Sequence, residues 1–147
     1  ENVTLIVGKM GTISNELLKF KYKSDFKLNI LQNLNNVSYE MFNANIAITA
    51  GGSTMWELMY TQTPFVTISL NKDQLDYTTF LEKERLCINL GMYTQLTEEI
   101  IQNKISTLIN DEEYRSSIIK KSDFILDRNN NWNNIKRAIE KKLLISN

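Results

Sequence analysis

The sequence predicts an α/β domain with a Rossmann-like parallel sheet and helices on both of its faces. Three observations predict this class. Short apolar runs alternate with helical patterns, most of these runs are apolar at nearly every position, and one run leads straight into a glycine turn and a helix. Runs that are apolar throughout are typical of strands covered on both faces. Since we find no internal repeat and no interior linker, residues 1–147 are predicted to form a single domain.

Five strands are predicted from the apolar runs. They lie at residues 3–7, 27–31, 46–49, 65–69 and 87–90. Pro64 immediately precedes the fourth run, at a position where its missing N–H group costs nothing. Cys87, the only cysteine, lies among leucine and isoleucine residues, so we interpret it as a small core residue and not as a nucleophile.

Seven helices are predicted between and after the strands. They lie at residues 14–21, 38–43, 55–60, 74–83, 98–108, 112–124 and 132–144. In the fifth, Ile101, Ile105 and Leu108 share one face, as expected for an amphipathic helix packed on the domain. Thr97 is the predicted N-cap of that helix. The polar run at residues 127–131 predicts a loop before the last helix.

Composition excludes several classes of function. The chain has 17 basic and 17 acidic residues and no long run of Lys and Arg, which argues against non-specific binding to nucleic acid or membranes. No apolar run approaches the roughly 18 residues that a membrane-spanning helix needs. Histidine is absent, which removes the commonest general base near neutral pH and the commonest zinc ligand. We assign neither a metal nor a cofactor, and a single cysteine favours a reducing, cytoplasmic location.

The turn Gly51-Gly52-Ser53-Thr54, which follows the strand at residues 46–49, is the main candidate site. A strand–turn–helix whose turn lacks side chains presents backbone N–H groups and the positive end of a helix dipole, for which phosphates are natural ligands. Ligands of open parallel sheets also bind outside the carboxyl ends of the strands. The alternative is an ordinary turn in which Ser53 or Thr54 caps the helix.

Two acidic positions beyond this turn each have two interpretations. Glu57 and Thr54 fit a capping box, but the Glu57 carboxylate could equally accept hydrogen bonds from a ribose diol. Asp73 could be the N-cap of the helix that follows the fourth strand. With Gln74 it could instead bind sugar hydroxyls, because an acid and an amide together supply acceptors and donors.

A second candidate loop, Gly8-Lys9-Met10-Gly11, ends the first strand. It lacks the third glycine of a dinucleotide fingerprint, and no acidic residue ends the second strand, so we expect no NAD site. Gly8 and Lys9 are candidate lining residues of the ligand cleft, with Lys9 near a phosphate. In the helix at residues 38–43, Met41 and Phe42 are interpreted as core residues, and Met41 is also a candidate for the cleft.

The motifs taken in order are more specific than any one alone. A strand, the Gly-Gly-Ser-Thr turn, Trp56-Glu57, Pro64, a second strand and Asp73-Gln74 together resemble the C-terminal, nucleotide-sugar-binding half of GT-B glycosyltransferases. The sequence is most similar to the branch of the UDP-sugar hydrolase of pseudaminic acid synthesis and the related spore-coat polysaccharide proteins. That branch usually has Asn at the position of Asp73, whereas Asp-Gln is common in other GT-B transferases.

The resemblance implies a ligand and a role for each motif. The ligand would be UDP or a UDP-sugar, with its diphosphate on Gly51, Gly52, Ser53 and Thr54. Glu57 would bind the ribose, and Asp73 and Gln74 would face the sugar. The whole protein would act in surface polysaccharide or nonulosonic acid biosynthesis.

The resemblance also implies that the acceptor and the catalytic base belong to an N-terminal domain missing from this chain, so no catalytic residue is assigned. The chain opens directly in a strand-like run, which likewise suggests a piece of a longer protein. The expected function is to bind the UDP part of the donor for hydrolysis or glycosyl transfer, and a hydrolase-like protein is the first candidate. A sugar-transferring glycosyltransferase domain is one alternative, and a non-catalytic interaction domain that retains the fold is another.

Overall fold

The computed structural model describes residues 2–23 and 25–126. These residues form five strands, six α-helices and one short 3-10 helix, which are joined by turns and loops. The chain divides into two units, with the boundary between Val37 and Ser38. Within the described residues, no helix combines the length and the apolar character needed to cross a membrane.

The first unit is a βαβ unit. Strands β1 (Asn2–Val7) and β2 (Lys27–Gln32) pair in parallel, and helix α1 (Asn15–Lys23) connects them. The side chain of Ser14 begins α1, because its hydroxyl accepts a hydrogen bond from the N–H of Leu17 at 3.2 Å.

The second unit contains a three-stranded parallel sheet in the order β3, β4, β5. Its elements along the chain are α2 (Ser38–Asn43), β3 (Ala47–Ala50), α3 (Thr54–Tyr60), β4 (Phe65–Ser69), α4 (Lys72–Lys83), β5 (Ile88–Met92), the 3-10 helix (Tyr93–Gln95), α5 (Glu98–Asn110) and α6 (Glu112–Leu126).

Strand β4 shows how helices cover both faces of this sheet. Val66 and Ile68 point to one face, where they pack in an apolar cluster with residues of α5 and α6. Ser69 points to the opposite face, where its hydroxyl lies 2.9 Å from the Thr78 hydroxyl of α4, and both side chains are fully buried. The α/β class with parallel strands and helices on both faces is therefore confirmed, although the five strands are divided between a two-stranded and a three-stranded sheet.

Most predicted elements are present with small shifts of their ends. The bounds of α2 and β4 are as predicted, and Thr97 is confirmed as the N-cap of α5 because its hydroxyl accepts from the N–H of Ile100 at 3.2 Å. Cys87 is confirmed as a core residue. The predicted loop at 127–131 and the helix at 132–144 lie outside the described residues.

Candidate functional site

Most of the backbone N–H groups in the turn between β3 and α3 are already hydrogen-bonded to carbonyl groups of the protein. Gly51 donates to the carbonyl of Ile68 on β4 at 3.1 Å, and Gly52 donates to the carbonyl of Ala50 at 2.7 Å. The N–H groups of Met55 and Trp56 donate back to Gly52 and Ser53. Among the described residues, the N–H groups of Ser53 and Thr54 find no acceptor, so the turn offers two adjacent backbone donors.

The two glycines of the turn have different environments. A Cβ atom on Gly51 would lie 2.8 Å from Cγ2 of Thr78 and 3.1 Å from Cβ of Gln74. A Cβ atom on Gly52 would meet nothing within 4 Å. Gly51 therefore lets the turn pack directly against the first turns of α4, while the backbone of Gly52 is open to a ligand.

Gln74 holds the start of α4 in place and keeps one end of its amide available. Its side-chain oxygen accepts from the N–H of Leu70 at 2.9 Å, and its own N–H donates to the side-chain oxygen of Asn71 at 2.9 Å. The side-chain nitrogen has no acceptor among the described residues. The Cβ and Cγ atoms of Gln74 pack on Gly51, so a side chain that carries two hydrogen-bond donors on its NH₂ group lies beside the turn.

The expectation that Asp73 could be an N-cap is wrong. The cap is Asn71, and Asp73 is an exposed residue in the first turn of α4. Sequence inspection missed Asn71, although an Asn with Gln three residues later is itself a capping pattern.

The capping alternatives for α3 are also wrong. Ser53 is the N-cap position, but it has helical dihedral angles of −60° and −26° and its side chain makes no capping bond. The exposed carboxylate of Glu57 accepts no hydrogen bond from any described residue, so the capping box is not formed. A carboxylate without a structural partner thus lies one helical turn after Thr54.

An aromatic contact joins α3 and α4 beside the turn. The rings of Trp56 and Tyr77 lie 6.1 Å apart, and Trp56 is 45% exposed. Burial, with a smaller contribution from Cys87, raises the pKa of Tyr77. The shift favours the protonated phenol, which can donate a hydrogen bond.

In the first unit, Gly8 and Lys9 line a cavity of about 270 Å³. Its other lining residues include Asn33, Asn35 and Val37. The amide of Gln32 holds the loop by donating to the carbonyl of Gly11 at 3.0 Å. A ligand role for Gly8 and Lys9 stays a prediction.

The interpretation as a core residue is confirmed for Met41 and wrong for Phe42. Met41 is 7% exposed, and its carbonyl accepts from the Thr63 hydroxyl at 2.7 Å and from the N–H of Ala44 at 3.1 Å. A role of Met41 in the ligand cleft stays a prediction. Phe42 is 71% exposed.

Comparison with known proteins gives three findings. The family model described as "Glycosyltransferase family 28 C-terminal domain" matches residues 1–138. The chain is 29% identical, over a 172-residue alignment covering 94% of its length, to the "UDP-N-acetylglucosamine--N-acetylmuramyl-(pentapeptide) pyrophosphoryl-undecaprenol N-acetylglucosamine transferase" of Pelagibacter ubique (strain HTCC1062). It spans 48% of that relative.

The third finding is a likeness to a solved structure titled "Crystal Structure Analysis of the Glycotransferase of kitacinnamycin". The TM-score is 0.57 at 15% sequence identity, over 83% of this chain and 39% of the other. At that identity the likeness supports the fold alone.

Proposed function

The chain belongs to the glycosyltransferase family 28 C-terminal domains, and on this basis we propose that it binds the UDP-sugar donor of a glycosyltransferase. The relative from Pelagibacter ubique supports this proposal, because its name contains both a UDP-sugar and a transferase activity. As the chain spans 48% of that relative, we propose that the acceptor and the catalytic base bind or lie in a separate N-terminal domain.

Transfer of the sugar is proposed in place of hydrolysis. The family and the relative are both glycosyltransferases by name, and neither supports the expected hydrolase or its pseudaminic acid branch. The Asp at position 73 points the same way, since it departs from the Asn that is usual in the hydrolase branch.

The packing of Gly51 on Gln74 is the observation that carries the proposal. It joins the glycine turn and the start of α4, which are far apart in the sequence. The diphosphate would approach the open backbone of Gly52 and accept from the N–H groups of Ser53 and Thr54. Glu57 would accept from the ribose diol, and Asp73 together with the side-chain NH₂ of Gln74 would contact the sugar.

The contacts to the diphosphate can supply only a part of the free energy of UDP binding. The N-terminus of a helix contributes at most about 2 kcal/mol to an anion, and α3 has only seven residues. Micromolar affinity requires about 8 kcal/mol. Contacts to the ribose, the base and the sugar must therefore supply most of the affinity, and we expect this chain alone to bind UDP weakly. Its proposed role is to position the donor and to stabilise the charge on the leaving UDP.

Titration of Glu57→Ala with UDP, followed by NMR, tests the proposal, with Glu99→Ala as the matched control. Both are exposed acids in the first turn of a helix. Because Glu57 makes no capping bond, the two variants should unfold at similar denaturant concentrations. Only Glu57→Ala should weaken UDP binding, by about tenfold or more, since a hydrogen bond to a charged group is worth about 1.5–3 kcal/mol.

Unchanged UDP affinity in Glu57→Ala would overturn the ribose role. Equal chemical-shift changes with NAD and UDP would argue against a UDP site. No response to millimolar UDP would favour the interaction-domain alternative.

A further inference from the structure

Strand β5 is an edge strand of the three-stranded sheet, and side chains form hydrogen bonds with the backbone groups on its outer edge. Among the described residues, β5 pairs only with β4. The N–H of Asn89 donates to a carboxylate oxygen of Glu82 on α4 at 3.0 Å, and the carbonyl of Asn89 accepts from the ammonium group of Lys104 on α5. That ammonium group also lies 3.1 Å from the same Glu82 oxygen.

The N–H group of Gly91, two residues further along β5, is bonded as well. Gly91 lies where the pairing of β5 with β4 becomes irregular. The N–H of Gly91 donates to the side-chain oxygen of Asn89 at 2.9 Å. The Asn89 amide nitrogen in turn donates to the Thr79 hydroxyl at 3.2 Å, and Asn89 is only 5% exposed. Three backbone groups of β5, the N–H and carbonyl of Asn89 and the N–H of Gly91, are therefore satisfied by side chains.

A second ion pair shows what is special about the first. Lys121 and Glu84 lie 3.4 Å apart, with side chains 42% and 43% exposed, against 41% and 36% for Lys104 and Glu82. In the part of the chain that the structure describes, the Lys121–Glu84 pair bonds no strand backbone. Pairs as exposed as these contribute little to stability, so Coulomb attraction alone does not account for the position of Lys104 and Glu82.

We propose that Glu82 and Lys104 form a side-chain cap on the β5 edge, which prevents a second copy of the chain from pairing with it. An open strand edge is a template for pairing with another chain. The partner that the cap excludes is a second copy of the chain. Two identical β5 edges can pair about a twofold axis, and each would then supply hydrogen-bond partners for the backbone groups of the other. The flanking Ile88 and Leu90 are apolar residues suited to a strand in such an extended sheet.

The test compares the molar mass of three variants with that of the wild-type chain by light scattering over a concentration series. Glu82→Ala combined with Lys104→Met should self-associate with a dissociation constant about tenfold lower or more. The matched control, Glu84→Ala combined with Lys121→Met, loses the same types of charge and should behave like the wild type. Glu82→Gln keeps an acceptor for the N–H of Asn89 and should also resemble the wild type. If the double variant of the cap does not fold, Lys104→Met alone takes its place.

Hydrogen exchange of the backbone N–H of Asn89 distinguishes pairing between strands from general aggregation. In Glu82→Ala this backbone N–H loses its acceptor, so at low protein concentration it should exchange faster than in the wild type. As the concentration rises, pairing with a second copy should protect it again. A folded cap variant with the mass of the wild type at every concentration would overturn the proposal. Equal association in the Glu84 and Lys121 control, or association without renewed protection of Asn89, would overturn it as well.

Discussion

Substitution of the two glycines, one at a time, separates the packing of the turn from its ligand contacts. In Gly51→Ala the new Cβ atom would lie 2.8 Å from Cγ2 of Thr78, about 0.7 Å short of the ~3.5 Å at which carbon atoms pack best. Neither neighbour moves easily, because Thr78 is bonded to Ser69 and Gln74 to Leu70. We expect the free energy of unfolding to fall by about 1–3 kcal/mol, the usual cost of overpacking.

Gly52→Ala is expected to do the opposite to stability. Its Cβ atom meets nothing within 4 Å, and its φ angle is not positive, so alanine fits without strain. The loss of freedom in the unfolded chain should stabilise the protein by about 0.4–1 kcal/mol. The same Cβ atom would occupy the space through which the proposed diphosphate approaches, so UDP affinity should fall by about tenfold or more.

Urea unfolding and UDP titration of both variants measure these effects. With a slope of about 2 kcal/mol per molar urea, Gly51→Ala should lower the midpoint by about 0.5–1.5 M. A Gly51→Ala midpoint equal to that of the wild type would refute the packing argument. A Gly52→Ala variant that binds UDP as the wild type does would refute the approach of the diphosphate to this backbone.

Two further predictions concern α4 and the core. Asn71→Ala should lower the free energy of unfolding by about 0.5–2 kcal/mol, because it removes the N-cap of α4. In the same urea experiment, Asp73→Ala should leave the free energy of unfolding nearly unchanged. A larger loss in Asp73→Ala than in Asn71→Ala would mean that Asp73 is the cap. Burial raises the pKa of Cys87 from 9.0 to about 12, so the stabilisation linked to this thiol should be complete below about pH 9 and be lost as the pH rises toward 12. This loss should be absent in Cys87→Ala, and an identical pH profile in that variant would contradict the prediction.

Local patterns predicted the elements whose ends carry strong signals. The apolar run after Pro64 fixed both ends of β4, and Thr97 was recognised because it is followed directly by acidic and apolar residues of a regular helix. At the start of α4 two capping residue types, Asn71 and Asp73, lie two positions apart. The single residue between them, Lys72, is polar and marks neither one as the cap, so the sequence could not decide which begins the helix.

Features that depend on distant contacts could not be predicted. Strand β5 continues to Met92 because Gly91 adopts a φ of 92° and the pairing with β4 becomes irregular there. The strand predicted from the sequence ends at residue 90, directly before this glycine. The contact of Gly51 with Gln74 depends on the placement of β4 beside β3, which no local pattern encodes.

The buried bond between the Ser69 and Thr78 hydroxyls has a consequence for recognition. It links a rigid strand to the helix whose first turns contact Gly51, and sliding that helix along the sheet would leave the Ser69 hydroxyl unpaired in a dry interior. The shape of the loop is thereby set in advance, so an arriving nucleotide would not need to order it, and little entropy would be lost from the main chain at this point.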